Sequence, residues 1–341
     1  VTKQVVIKGI GCITPWGDIV EDVIRNDKER SLDTNLVKDF DLQKYVKRKG
    51  LRTLPKSTKM AIASTELALK DLDVLGYKEL PKERIGVFVG TSLSYVNNIQ
   101  DFLEPTYEKN ANSVSPIKFP NTVLNNISGW VSIVFGIEGI NSTVNNGTMS
   151  GVDALIQAQS YLESNVIDRA IVITVDDIDK AIVHNKNNGK RQDQTITESS
   201  ITFILEQSHT LEGSYGLIKN VEAWMNPYNS IERLQNVIST RLRGISSIEY
   251  VLWGSENGID GNIERQLNAI YQGEITKTSD FLGDALSSSA FYKIMIALFS
   301  SQNSLIIETN NMGNQGVFEV ESVVVTERKE IIHERKELSL I

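Results

Sequence analysis

The strongest constraint in this sequence is a set of short runs whose apolar residues stand side by side instead of alternating. RIGVFVGTS (84–92), RAIVITVDD (169–177) and SITFILEQ (200–207) carry apolar side chains at consecutive positions, so each strand needs cover on both faces. QVVIKGIGCIT (4–14) and INSTVNN (140–146) read as further strands, and KMAIASTELALKDL (59–72) and residues 149–164 show helical spacing. The pattern then recurs: GLIKNVEAW (216–224), IEYVLWG (248–254), SLIIETNN (304–311) and FEVESVVVTE (318–327) read as strands, with helical ERQLNAIYQ (264–272) and SSSAFYKIMIALFS (287–300) among them. The expected fold is α/β, with two related halves, residues 1–208 and 209–341, and helices layered around two sheets. No sequence repeat aligns between the halves.

Two polar segments interrupt this plan. Residues 26–59 hold a basic cluster of Lys44, Lys47, Arg48, Lys49, Arg52 and Lys56, and residues 184–200 form a long polar stretch. Both read as solvated connections. The final ERKEIIHERKELSLI reads as an exposed tail or short helix.

The formal net charge of −8 argues against a general nucleic-acid binder. No apolar run approaches the ~20 residues of a membrane-spanning helix, and VTKQVVIKG lacks the layout of a signal peptide. The expectation is a cytoplasmic protein with no membrane or nucleic-acid partner. Cys12, the single cysteine, lies in an apolar strand and reads as a buried structural thiol. His184, His209 and His333 sit in or beside polar segments without metal-like spacing, so they read as surface residues, and no metal or cofactor is expected. GIGCITPWG offers G-x-G without a third glycine in register, a weak dinucleotide signal.

One stretch could carry chemistry. NSTVNNGTMSG (141–151) begins as a strand, turns at Asn145-Asn146-Gly147 and enters an amphipathic helix. Thr148 therefore falls at a strand-to-helix junction, where unpaired N–H groups stabilise negative charge. A threonine hydroxyl there still needs a base to become a nucleophile.

Five segments, in order, resemble the β-ketoacyl synthases, the thiolase-fold condensing enzymes. GIGCITPWG resembles their G-x-G-x-x-T-P-x-G opening. The stretch SPIKFPNTVLNNISGWVSIVFGIEGINSTVNNGTMSGVDALIQA resembles the one ending in P-N-x-T-V-x-T-A-C-A-S-G. KMAIASTELALKDL, RIGVFVGTS and NNMGNQGVF (310–318) fall where the family places their counterparts. The resemblance implies a thiolase-like αβαβα layering. It also places the family's nucleophilic cysteine on Thr148, its first histidine on Gly254 (Trp253 if shifted by one), its second on Asp284, and the gating phenylalanine on Asn314. The G-E-G-A segment becomes Thr197-Glu198-Ser199-Ser200. Threonine is no thiolate, glycine cannot support an oxyanion, and an ionised Asp284 would repel one.

The resemblance thus implies a non-catalytic ketosynthase-like subunit, similar to the chain-length factors of type II polyketide synthases. Such a subunit pairs as a heterodimer with a catalytic ketosynthase and meets an acyl carrier protein through the complex, limiting the length of a polyketide or polyene chain. The stretch 118–130 would approach the partner's tunnel, with Phe119, Val123 and Trp130 as candidates. Two other readings stay open: a decarboxylase or acyltransferase using Thr148 with Asp284 or Glu256 as base, and a homodimeric acyl-binding scaffold.

Overall fold

A computed structural model of the chain describes residues 3–24, 35–74, 76, 79–178, 195–226, 232–244, 248–254, 260–310 and 312–323. His184, His333, Glu256 and the last eighteen residues of the chain lie outside the described residues. So does most of the 184–200 stretch.

The strands are β1 (Gln4–Ile13), β2 (Ile85–Gly90), β3 (Asn141–Val144), β4 (Arg169–Asp176), β5 (Ser199–Ser208), β6 (Gly216–Met225), β7 (Tyr250–Trp253), β8 (Glu274–Lys277), β9 (Ser304–Thr309) and β10 (Asn314–Ser322). The helices are α1 (Val20–Ile24), α2 (Lys56–Asp73), α3 (Val96–Glu108), α4 (Asn126–Phe135), α5 (Ser150–Glu163), α6 (Glu232–Gly244), α7 (Asp260–Ile270), α8 (Ser279–Leu282) and α9 (Ser289–Ser300).

The strands join in the order β3-β2-β4-β5-β1-β6-β10-β9-β7-β8. From either outer edge the two halves have one plan. In the first, β2 pairs parallel with β3 and β4, then β5 and β1 continue antiparallel. In the second, β7 pairs parallel with β8 and β9, then β10 and β6 continue antiparallel. A short β1–β6 pairing, Val6 with Leu217 and Ile7 with Gly216, joins them. The duplication invisible in the letters is explicit in the topology.

Consecutive apolar residues do what the sequence requires, filling two faces. Val172 of β4 and Phe203 of β5 enter a central core with Leu155 of α5 and Phe291 of α9, whereas Ile171, Ile173 and Ile204 face α2 and α4. In the second half, Leu252 and Ile306 join the central core, while Val251, Leu305 and Val317 pack against Leu234 and Ile238 of α6 and Ile263 and Leu267 of α7. The layers are therefore α2/α4, sheet, α5/α9, sheet, α6/α7, the expected five-layer α/β architecture. α9 is apolar almost all round because it lies between the sheets. Phe291 stacks on Phe203 with ring centroids 4.4 Å apart, binding this middle layer to the first sheet.

The glycines of GIGCITPWG serve packing. A Cβ at Gly11 would lie 2.1 Å from the Ser64 carbonyl, and one at Gly9 2.5 Å from that of Ala68. Only glycine lets β1 approach the backbone of α2 so closely.

Some elements differ from the sequence reading. The last strand begins at Asn314 rather than 318, because NQG extends the hairpin with β9. β8, α3, α4 and α6 had no sequence expectation. The end of the 184–200 stretch is not a solvated connection: Thr195, Thr197, Glu198, Ser199 and Ser200 are all buried. Glu198 accepts the Lys56 ammonium at 2.7 Å and the Val37 and Ile178 N–H groups, so ladder and side-chain bonds offset the cost of burying these polar residues. Lys56, counted in the basic cluster, is thus committed inward.

Candidate functional site

β3 ends at Val144 and α5 begins at Ser150, so Asn145–Met149 turn the chain where the sequence placed a junction. Thr148 is only 3% exposed, and its Oγ1 donates to the Thr309 carbonyl at 3.3 Å. A carbonyl cannot take up that proton at neutral pH. The bond positions the hydroxyl without activating it. His209 is exposed just beyond β5, and Cys12 is fully buried with its thiol pushed far up by desolvation.

The other positions arrive from the second half. Gly254 follows β7 with φ +109°, and a Cβ there would meet Ser279 Oγ at 2.9 Å. Any side chain at 254 is strained and obstructed. Its carbonyl accepts the Lys293 ammonium at 2.7 Å. Trp253, the alternative register, is buried in the outer core beneath Lys277, whose Nζ sits 5.3 Å from the ring centroid. Asp284 is nearly buried; its Oδ1 accepts the Leu286 N–H at 2.9 Å, and its backbone bonds to Thr195 and Thr197. Asn314 donates from Nδ2 to Asn146 Oδ1 at 3.0 Å and to Asn310 Oδ1 at 3.3 Å. Thr148 and Asn314 therefore meet around the β9–β10 turn, and Gly254 is linked through Lys293 to Glu308 of β9. Asp284 is held by a separate set of partners.

Sequence reasoning missed three parts of this surrounding. The first is an ion pair with no exposed atom: Lys293 Nζ lies 2.6 Å from Glu308 Oε2 and also donates to Ser289 Oγ at 2.8 Å. Its signal in the sequence is a lysine within the apolar FYKIMIALF. The second is Asp176 at the end of β4, which accepts the N–H groups of Ser92, Leu93 and Ser287. Burial raises its pKa, and those bonds oppose the rise. Beside it, burial first, then Glu198 and Asp176, push Asp177 up to about 7. The third is a carboxamide set, Asn146, Asn310 and Asn314, with Asn146 also donating to Asp153 at 2.8 Å. Burial raises the Asp153 pKa against that bond.

The 118–130 segment has the opposite character. Pro116–Thr122 is a 3-10 turn leading to α4. Ile117 is 87% exposed, Phe119 57%, Val123 41% and Ile133 57%. Phe119 tilts against Phe102 of α3, and Trp130 is half-buried on the α2/α4 core. Beside this patch β3 is the outermost strand, paired only with β2 among the described residues. No group of His, Cys, Asp and Glu among the described residues is placed to hold a metal ion, and no described helix is long and apolar enough to cross a membrane.

Comparison with known proteins agrees with this architecture. Residues 27–186 match the family described as β-ketoacyl synthase, N-terminal domain. The 3-oxoacyl-[acyl-carrier-protein] synthase 2 of Staphylococcus aureus (strain COL) is 25% identical over 185 residues, which is 50% of this chain and 44% of that protein. The match thus spans less than half of the relative's length. The ishigamide ketosynthase/chain length factor superposes with a TM-score of 0.75 at 19% identity, covering 94% of this chain and 99% of that one. A type II polyketide synthase acyl-carrier protein in complex with its ketosynthase bound to the hexaketide gives 0.77 at 15%, covering 95% and 100%. The resemblance read from the sequence is borne out, and the fold is that of the ketosynthases.

Proposed function

From a β-ketoacyl synthase fold, we propose that this chain is a non-catalytic ketosynthase-like subunit that pairs with a catalytic ketosynthase. Together they elongate a carrier-protein-bound polyketide or polyene chain, and this subunit limits its length. The observation that carries the proposal is the state of residue 148. Its hydroxyl is buried and tied to a backbone carbonyl, with no bond to a basic side chain among the described residues, while Gly254 and Asp284 supply no histidine. Loss of nucleophile and oxyanion support together removes condensation chemistry.

The edge supports the pairing. β3 offers an open ladder and the 117–133 segment offers Ile117, Phe119, Val123 and Ile133 to solvent, a combination that natural proteins cover. The division into halves 1–208 and 209–341 belongs to the same reading. The acyl carrier protein reaches the growing chain through the complex.

Coexpression with a cysteine-containing ketosynthase should yield a stable one-to-one complex. In it, Thr148→Ala leaves turnover within about a few-fold and Thr148→Cys creates no condensation, since one missing oxyanion donor alone costs ~10²–10³ in rate. A nucleophile-sized loss in Thr148→Ala would transfer the assignment to an enzyme using Thr148. A monodisperse monomer that ignores the ketosynthase would remove the pairing.

A further inference from the structure

Strand β4 opens with a charge: Arg169 precedes the apolar run AIVI. By the strand period of two, its side chain shares the outer face of the first sheet with Ile171 and Ile173, beneath α2 and α4. Those helices end above it, α2 at Asp73 and α4 at Phe135. Under their last turns lies a cavity of about 390 Å³, walled by Leu69, Ile85, Phe135, Ile171 and Arg169. The exposed Asp73, Glu79 and Lys82 form its rim, and every residue lining it is among the described ones. The cavity sits at the starting ends of β2 and β4. Thr148 follows the far end of β3, which runs parallel to β2.

Arg169 is 8% exposed, and its Nε donates to Glu206 Oε1 at 2.6 Å. Its Nη1 and Nη2 groups donate to no described residue. Buried N–H groups are costly unless something accepts from them, and the cavity that Arg169 lines is where an acceptor fits. The surrounding charges select its kind. Glu206 already balances Arg169, while Asp73 and Glu79 outnumber Lys82 at the rim. A carboxylate or phosphate would add negative charge where cations are already matched. A neutral carbonyl oxygen accepts from a guanidinium without that repulsion. The other walls are hydrocarbon and one aromatic ring, which suit an apolar body.

We propose that this cavity binds a small neutral molecule with an apolar body and one carbonyl oxygen (a ketone, ester or amide) that accepts from Arg169 Nη. Its volume lies within the ~300–1,000 Å³ of ligand pockets. The site is separate from the Thr148 junction and stands whether or not the chain pairs with a ketosynthase.

Acetophenone, benzoate and α-methylstyrene have nearly one shape and differ in what they offer Arg169: a neutral carbonyl, a carboxylate and a methylene. Their binding to the full chain is measured by ligand-observed NMR titration. Acetophenone should bind with a dissociation constant on the order of 1 mM or below, and at least ~10-fold more tightly than benzoate. Arg169→Met/Glu206→Met replaces the pair by apolar side chains, an exchange that buried ion pairs often tolerate. It should weaken acetophenone about 10-fold and leave α-methylstyrene within about 3-fold. Leu80→Trp, which adds bulk to the cavity wall, should weaken both about 10-fold. Benzoate bound as tightly as acetophenone, or acetophenone bound more weakly than ~5 mM, overturns the proposal. So does an unchanged acetophenone affinity in either folded variant. Should the paired variant fail to fold, Leu80→Trp and the benzoate comparison decide.

Discussion

The junction at Thr148 and the edge at β3 lie a few residues apart in sequence and are opposites in physical state. Around Thr148 hydroxyl, carboxamide and ammonium groups are spent on internal partners, with Lys293 and Glu308 wholly buried and paired. Along the edge, Ile117, Phe119, Val123 and Ile133 face water beside a strand with an open side. A catalytic centre needs groups whose capacity is held in reserve for a substrate. At the junction the Thr148 hydroxyl and the Asn146, Asn310 and Asn314 carboxamides are bonded internally, whereas the edge has apolar area exposed and a strand side unpaired among the described residues. The proposed pairing is therefore tested at the edge, and the proposed loss of chemistry at the junction.

The largest effect should come from breaking the interior pair. Lys293→Met leaves Glu308 buried without its cation, and Ser289 and Gly254 without their donor. Unpairing a buried charge costs ~3–5 kcal/mol, read as a lowered urea midpoint. A loss under about 1 kcal/mol would show that the junction is less closed than the contrast requires.

Next comes a pH test confined to the interior. Asp177 has a folded pKa raised from 3.8 to about 7, with Asp176, Glu198 and Lys56 facing it. The folded state then binds the extra proton between those values, so stability is greatest at the acid end and declines as pH rises towards 7. From pH 5 to pH 8 this one group should remove about 2–3 kcal/mol. Asp177→Asn, neutral throughout, should flatten that decline in denaturant titrations. An identical slope in the variant would refute the assignment of the pH dependence to this cluster.

The smallest effect on the chain's own stability, and the sharpest on assembly, should come from the edge. Phe119→Glu puts a charge on an exposed face, so unfolding should shift by no more than about 0.5 kcal/mol. If the patch is the covered face, association with the ketosynthase should weaken by ~2 kcal/mol or more by titration calorimetry. Val123→Phe tests the same face more finely. A shorter carrier-bound product from an intact complex places this side chain at the tunnel, and a weakened complex with unchanged product places it in the interface core.

The parts that were legible in the letters are those with local causes. Thr148 at a strand-to-helix junction followed from Asn145-Asn146-Gly147 and the spacing of Val152, Leu155 and Ile156, and the structure has the turn there. Glu198 was illegible for the converse reason. Thr197-Glu198-Ser199-Ser200 is polar in composition, yet it is interior because Lys56, 142 residues away, supplies the countercharge. The segment 116–135 was read only through its resemblance, since its exposed isoleucines and phenylalanine have no periodicity that separates an uncovered face from a buried one.

The sequence by itself determined the α/β class, the succession of most strands and helices and the absence of cysteine and histidine at the positions that resemble a condensing site. Each follows from neighbouring residues, whose side-chain period and turn chemistry act over a few positions. Only the tertiary structure decided that the two halves have one strand order, that Lys293 meets Glu308 within a dry core, and that Asn146 is strapped to Asn314 across 168 residues. Those bonds exist because the sheets and middle helices bring distant segments within about 3 Å, a distance at which polar groups either find partners or cost the fold its stability.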